Sequence, residues 1–312
     1  MGTIIEVRDL TKRYRGASIN AVDAVSFTVR AGEFFALLGP NGAGKTTTIS
    51  MLTTTLAPTS GGAQIAGHDL ARDAAAVRRD VGIIFQKPSL DQNLTGEENV
   101  RLHALLYGLY PWRPSYALMP TEYRAALHGM ADLLGLGAEI FKPIRTYSGG
   151  MRRKLEIVRA LLHRPKVLFL DEPTAGLDVP TRRTLWDHLT RVRRESGTTI
   201  FLTTHYIEEA EGADGICIID QGKVVSLGTP REVKANLVQN YIDIDASDRS
   251  ALRDELARLG LRYSEGQHVR VELDGATTHA LLKSIDVPLS YVQTHAPTLE
   301  DAYLKIVSRA EP

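Results

Sequence analysis

One cysteine stands among the 312 residues, so no disulfide can form within the chain. Cys217 lies in a short apolar run and reads as a small core residue, suited to a reducing compartment. Neither charge is in excess: lysine plus arginine and aspartate plus glutamate both number 37. That balance argues against nucleic acid or an anionic membrane surface as the main partner. No stretch approaches the ~20 apolar residues that span a bilayer. Acid and arginine arrive at Glu6 and Arg8, unlike a secretory leader, and Glu6 stands where myristoylation after Gly2 needs serine or threonine. If the chain works at a membrane, another polypeptide supplies the spans.

What is present is length and alternation. A chain of 312 residues accommodates one large domain and a smaller one. The apolar runs Phe34-Leu38, Gly82-Phe85, Val167-Leu170, Ile200-Thr203 and Gly215-Ile219 are short and uninterrupted, as in strands buried on both faces. Helical patterns such as Leu155, Val158, Leu161 and Leu162 lie between them, which predicts a largely parallel α/β sheet. Asp220-Gln221-Gly222-Lys223 reads as a hairpin turn.

Two regions depart from the alternation. From about Gln86 to Pro165 the pattern is mostly helical, a helical subdomain over about 87–165. Within it Pro111, Pro114 and Pro120 break any helix in a segment, Leu109 to Pro120, rich in aromatics. After Pro230 the pattern restarts as a small α+β domain over 231–312, with a large first domain over 1–230. Strands are expected at Tyr241-Asp245, Leu261-Ser264, Val269-Leu273 and Leu289-Gln293, with helices at Ser250-Leu259 and Ala276-Ile285. That order, β-α-β-β-α-β, is the ferredoxin-like, split βαβ arrangement. A closing helix puts Leu299, Ala302, Tyr303, Ile306 and Val307 on one stripe.

The chemistry begins at Gly39-Pro40-Asn41-Gly42-Ala43-Gly44-Lys45-Thr46, which fits G-x-x-x-x-G-K-[ST] between a strand and a helical pattern. Its glycines let backbone N–H groups turn toward phosphate oxygens, and the following helix adds its positive end. In this reading Lys45 contacts the β- and γ-phosphates and the Thr46 hydroxyl ligates Mg²⁺. Asp171 and Glu172 close the strand that starts at Val167, at the sheet edge where the phosphate loop opens. Asp171 is then a Mg²⁺ ligand, and Glu172 polarises the attacking water as general base. The competing reading makes them two acids that cap the next helix.

Between these motifs stands Tyr147-Ser148-Gly149-Gly150-Met151. Together the three resemble the nucleotide-binding ATPase of ABC transporters over roughly residues 3–230. The resemblance implies a P-loop ABC ATPase core with a small antiparallel β part. It implies a nucleotide site formed by Gly39 to Thr46 together with Thr47, and Tyr14 as the aromatic that stacks on adenine. Gln86 matches the glutamine that links Mg²⁺ and the attacking water to the membrane subunit. Ser148, Gly149 and Gly150 match the signature that caps the γ-phosphate held by the opposite subunit. Ala175-Gly176-Leu177-Asp178 matches the loop that crosses the dimer interface, and His205 the histidine that touches the γ-phosphate. Taken singly, a tyrosine, a glutamine or a histidine in such places is an ordinary surface or structural residue. Their joint order and spacing carry the match.

The signature departs from the family's commonest form, Leu-Ser-Gly-Gly-Gln, at Tyr147 and Met151. It is similar to an exporter branch that includes daunorubicin-resistance-type ATPases, as is the C-terminal Pro297-Thr298-Leu299-Glu300-Asp301-Ala302-Tyr303. The resemblance therefore implies a Mg²⁺-dependent ATP hydrolase that energises export of a drug, lipid or polysaccharide-type substrate. It implies separate transmembrane permease subunits, a second nucleotide-binding subunit or second copy, no nucleic acid, and a place on the cytoplasmic face of the cell membrane. The alternatives are an importer ATPase, or a soluble ABC ATPase acting on ribosomes or DNA. The latter usually join two cassettes or carry coiled-coil insertions, and neither is seen here.

Overall fold

The computed structural model describes residues 2–86, 89–237, 241–273, 278–295, 298–301 and 303. It divides into two units, Met1–Leu227 and Gly228–Pro312. In chain order the first contains β1 (Thr3–Lys12), β2 (Val22–Arg30), β3 (Phe34–Leu38), α1 (Lys45–Leu52), β4 (Ser60–Ile65), β5 (His68–Asp69), α2 (Ala74–Asp80) and β6 (Val81–Ile84). Then come α3 (Gly96–Leu106), α4 (Thr121–Leu133), α5 (Gly149–Leu161), β7 (Val167–Asp171), α6 (Val179–Ser196), β8 (Thr199–Thr204), α7 (Ile207–Glu211), β9 (Gly215–Asp220) and β10 (Lys223–Gly228).

Two sheets face each other. The larger has the order β10-β9-β3-β8-β7-β6, and β9, β3, β8, β7 and β6 pair in parallel. Every residue of β7 and β8 is buried, which explains their unbroken apolar runs. The smaller sheet, β2-β1-β4-β5, is antiparallel, and β2 alternates between buried and exposed positions. Phenylalanines fill the space between them. Phe27 stacks on Phe35 at 5.4 Å, Phe35 on Phe201 at 5.3 Å, and Phe169 leans on Phe201 at 5.2 Å. Burying each such ring contributes about 1.5–3 kcal/mol. Gln221 and Gly222 between β9 and β10 both have positive φ, as a type I′ hairpin requires.

Residues 89–165 form the helical part, with α3, α4, α5 and three short 3-10 turns. Thr95 and Glu98 close a reciprocal capping box at the start of α3. The segment 109–120 carries no α-helix, and only Tyr116–Leu118 makes a 3-10 turn. Tyr116 sets its ring edge-on against Phe141 and His128, whereas Trp112 is 58% exposed.

The second unit contains α8 (Pro230–Leu237), β11 (Tyr241–Ala246), α9 (Arg249–Arg258), β12 (Tyr263–Glu265), β13 (Val269–Glu272), α10 (Thr278–Ser284) and β14 (Leu289–His295). The sheet order is β12-β13-β11-β14 with every pairing antiparallel, the ferredoxin-like arrangement. Ile242, Ile244, Val269 and Val271 face Leu252, Leu256 and Leu281 in one apolar core. Of the expected closing stripe, Leu299 is buried in a helical stretch. Ala302, Ile306 and Val307 lie outside the described residues.

Candidate functional site

The site is built at the carboxyl ends of adjacent parallel strands. β3 delivers the loop 39–44, in which Gly42 has φ 83° and Gly44 φ 103°. A Cβ at Gly44 would stand 2.4 Å from the Ala21 carbonyl oxygen, so only glycine fits both the angle and the space. Pro40, Asn41 and Ala43 complete the loop. Asn41 is exposed at its tip, and the Ala43 N–H closes a turn on the Pro40 oxygen at 3.2 Å. Lys45 is buried, and its Nζ donates to the Gly39 and Pro40 carbonyls at 2.7 and 3.0 Å. Burial pushes its ammonium below the usual lysine range, opposed by the charge of Glu172. The Thr46 hydroxyl donates to Asp171 Oδ1 at 3.3 Å, and Thr203 donates to the same oxygen at 2.6 Å. Burial raises the Asp171 carboxyl, while these two hydroxyls act in the other direction.

Glu172 is the centre of the cluster. Its φ of 45° is left-handed, costly for a residue with a Cβ by about 1–3 kcal/mol. Its N–H is held by the Thr203 oxygens, O at 3.2 Å and Oγ1 at 3.1 Å. Gln86, two residues past β6, donates from Nε2 to Glu172 Oε2 at 3.1 Å. Lys45 Nζ lies 3.5 Å and His205 Nδ1 3.3 Å from Glu172 Oε1. The histidine is close enough to be attracted when protonated but is not aligned as a hydrogen bond. Tyr14 stands at the rim, with its hydroxyl 3.2 Å from Thr47 Oγ1 and its ring 45% exposed.

The family described as ABC transporter matches residues 22–175. The daunorubicin/doxorubicin resistance ATP-binding protein DrrA of Streptomyces peucetius is 42% identical, over 91% of this chain and 81% of that protein. This chain belongs to the ABC transporter family of ATP-binding proteins. The Nod factor export ATP-binding protein I of Ralstonia nicotianae is 35% identical, over 98% of this chain and 94% of its own length. Among solved structures, a dimeric post-hydrolysis state of the ATP-binding cassette MJ0796, bound to ADP and Pi, superposes with a TM-score of 0.63 at 26% identity. That match covers 72% of this chain and 98% of the cassette. The chain is an ATP hydrolase of the ABC type.

Within this ABC ATPase, four expected residues lie apart from the cluster around Glu172. Ser148 caps α5 and accepts the Met151 N–H at 3.2 Å. Gly149 and Gly150 open that helix against the Leu177–Thr181 segment, where a Cβ on Gly150 would meet Thr181 Cγ2 at 2.6 Å. Asp178 caps α6, accepting from Thr181 N at 2.8 Å and Thr181 Oγ1 at 3.0 Å. Among the described residues no hydrogen bond or ion pair joins these four to the phosphate loop.

The structure also adds residues that the sequence reading passed over. Thr203 ties Asp171 to the Glu172 backbone, and its signal was a hydroxyl at the end of a wholly buried strand. Glu209 is buried beneath the His205 turn. It accepts from Thr204 Oγ1 at 2.6 Å and, in a very short bond, from Thr174 Oγ1. Burial raises its carboxyl. Arg153 and Glu156 form a buried pair on α5 at 3.0 Å. The signal for Arg153 was a cation near a helix N-terminus, where the dipole disfavours it.

Proposed function

We propose that this chain is the energising subunit of an exporter whose membrane-spanning subunits are separate polypeptides. One observation carries the reading: Lys45, Thr46, Gln86, Asp171, Glu172 and His205 converge where a phosphate loop opens at the edge of a parallel sheet. In this reading the phosphate loop and Lys45 hold the β- and γ-phosphates, and Tyr14 receives the adenine. Glu172 takes a proton from the attacking water, and Gln86 and His205 orient the water and the γ-phosphate. Most of the rate effect is positioning and electrostatics.

The residues fit a magnesium ion. Thr46 Oγ1 and Asp171 Oδ1 are hard oxygen donors already 3.3 Å apart, and Gln86 stands beside them on Glu172. Among the described residues no cluster of three or more His, Cys, Asp or Glu is set to hold a metal by itself. Held by Thr46, Asp171 and Gln86, such an ion would neutralise charge on the phosphates.

The Ser148–Gly150 helix start and Asp178 then act across a seam, on nucleotide held by a second copy or a second cassette. Their separation from the cluster within one chain supports that reading. The relatives named for drug resistance and for Nod factor export support a drug, lipid or polysaccharide-type cargo. No described helix is long and apolar enough to cross a membrane; in this reading the chain sits on the cytoplasmic face beside a permease. Light scattering of the Glu172→Gln chain tests the seam: its mass doubles on adding Mg²⁺ and ATP, and a mass that stays single at saturating ATP overturns the reading. For the permease contact we look to the segment 109–120. Tyr116 pins that loop to Phe141 and His128 and leaves Trp112 outward. Trp112→Ala is expected to lower transport by the assembled complex while the chain's own ATP binding is unchanged. Unchanged transport makes the loop idle.

A further inference from the structure

The buried guanidinium of Arg153 lies where three functional segments meet. It is 5% exposed and makes four hydrogen bonds. Nε donates to the Pro173 carbonyl at 2.8 Å and Nη2 to the Glu172 carbonyl at 3.3 Å. Nη1 donates to the Phe85 carbonyl at 2.7 Å and to Glu156 Oε2 at 3.0 Å. Phe85 immediately precedes Gln86. Glu172 and Pro173 form the turn that leaves β7. Arg153 itself rides on α5, the helix that begins at Ser148-Gly149-Gly150. Glu156 extends the tie, because its Oε1 accepts the Ser89 N–H at 3.0 Å on the far side of Gln86. Arg159 holds the same serine at its carbonyl and its hydroxyl, at 2.8 and 2.6 Å.

We propose that Arg153 is a positioning residue for ATP hydrolysis, which fixes the strained Glu172 turn and the entrance of the Gln86 loop to the signature helix. The proposal rests on the reading of Glu172 and Gln86 as the hydrolytic pair. Its physical content lies in the shape of guanidinium. A planar fork with five donors reaches carbonyls on two loops at once, which the single ammonium of lysine cannot do. Three backbone oxygens with converging partial charge need a cation between them, and Glu156 balances that cation where water does not reach. The left-handed Glu172 has its N–H held by Thr203 and its carbonyl by Arg153, so both flanking peptide planes are fixed. Consequently α5 cannot shift as a body without carrying Phe85 and Glu172 along or breaking these bonds.

A buried pair that served only stability would behave differently. Buried ion pairs replaced together by uncharged groups of similar volume are often neutral for stability. Two variants of the full chain separate the cases. Arg153→Lys keeps the charge beside Glu156 and loses the fork. Arg153→Met with Glu156→Gln removes both charges and keeps an acceptor for Ser89. Phosphate release with Mg²⁺ and ATP, nucleotide affinity and melting temperature are measured for each.

Both variants are expected to bind ATP within about three-fold of the parent while kcat falls roughly ten- to hundred-fold, the scale of small misplacements at a reacting centre. In a Glu172→Gln background, Arg153→Lys should change the residual rate by less than about two-fold, since the two act through one group. A variant that hydrolyses within about two-fold of the parent overturns the proposal, and so does a lysine effect that multiplies in full on Glu172→Gln. A rate that falls only in step with melting temperature and ATP affinity overturns it as well. Failure of the parent chain itself to hydrolyse ATP would strike the underlying assignment of Glu172 instead.

Discussion

The two units of this molecule differ in how many charges they bury and where they gather them. The first buries Lys45, Glu97, Arg153, Glu156, Asp171, Glu172 and Glu209 in or beside its core. At the nucleotide site their partners are distant in the chain: Gln86 and Glu172 are 86 residues apart, Thr46 and Asp171 125, whereas Glu97 with Arg101 and Arg153 with Glu156 pair along one helix. The second unit gathers apolar residues into its core, and its two buried carboxylates, Asp245 and Glu255, are paired with partly or largely exposed arginines. Arg249 at the start of α9 pairs with Asp245 of β11, Arg258 pairs with Glu255 within one helical turn, and Arg270 reaches Asp243 on the neighbouring strand. Buried charge costs several kcal/mol per ion before its partners are counted. A fold that places so many charges at one sheet edge is organised around something other than stability. Among the described residues, the second unit gathers no comparable set of buried charges at one sheet edge.

That contrast is sharpest at Glu172. Replacing it with glutamine keeps the volume and the acceptor for Gln86 but removes the proposed base. Turnover should fall by about 10²–10⁴-fold, the usual worth of a positioned general base. Nucleotide affinity, read by equilibrium titration, should stay near that of the parent, because the loop and Lys45 are untouched. A variant that releases phosphate at the parent rate would erase the distinction between buried catalytic charge and buried structural charge.

What could be read in advance follows the same division. The phosphate loop, Asp171, Glu172 and the buried strands were legible because each imposes a local rule: glycines at positive φ, carboxylates at a strand end, unbroken apolar runs. The ferredoxin-like order of the second unit was legible from period and turns alone, since β11 and β13 alternate cleanly about their core. The sheet formed by β1, β2 and β4 was not singled out. Its antiparallel pairing depends on distant partners, since the pairing of Ile5 with Ile65 joins residues 60 positions apart. Arg153, Thr203 and Glu209 were missed for a related reason. Their roles exist only after α5, β8 and α7 are packed around Glu172, and no local spacing announces that.

Buried titratable groups give the next contrast, through pH. His103 on α3 packs its ring 4.2 Å from Tyr107, and burial, with the nearby charges of Arg159 and His163, pushes its pKa down to about 3. Above pH ~6.5 the ring is neutral in both folded and unfolded chains and contributes no pH dependence. As pH falls below that value the unfolded chain takes up a proton that the folded chain refuses. Stability therefore drops until about pH 3, where the folded histidine also protonates. His103→Phe keeps the ring and removes the proton. Between pH ~6.5 and ~5 it should lose about 1–2 kcal/mol less than the parent in denaturant unfolding. Parallel curves for the two proteins would mean that His103 takes up its proton in the folded state as readily as in the unfolded one.

The smallest effect is expected in the second unit, and its smallness is the point. Arg270 lies over the Tyr241 ring at 3.9 Å and reaches both Asp243 oxygens, at 3.0 and 3.3 Å, on the solvent side of the sheet. Its side chain is 49% exposed, so water and salt screen the pair. Exposed pairs of this kind contribute about 0–1 kcal/mol, and an exposed cation–π contact about 0.5–1 kcal/mol. Arg270→Ala should therefore shift unfolding by about 1 kcal/mol or less, with the difference shrinking at high salt and ATP turnover unchanged. Lysine at the same position keeps a point charge but not the planar stack, and should lie between arginine and alanine. A loss of several kcal/mol, or a fall in turnover, would mean that this exposed face is as tightly built as the nucleotide site. The second unit would then have to be counted as part of the machine rather than an accessory to it.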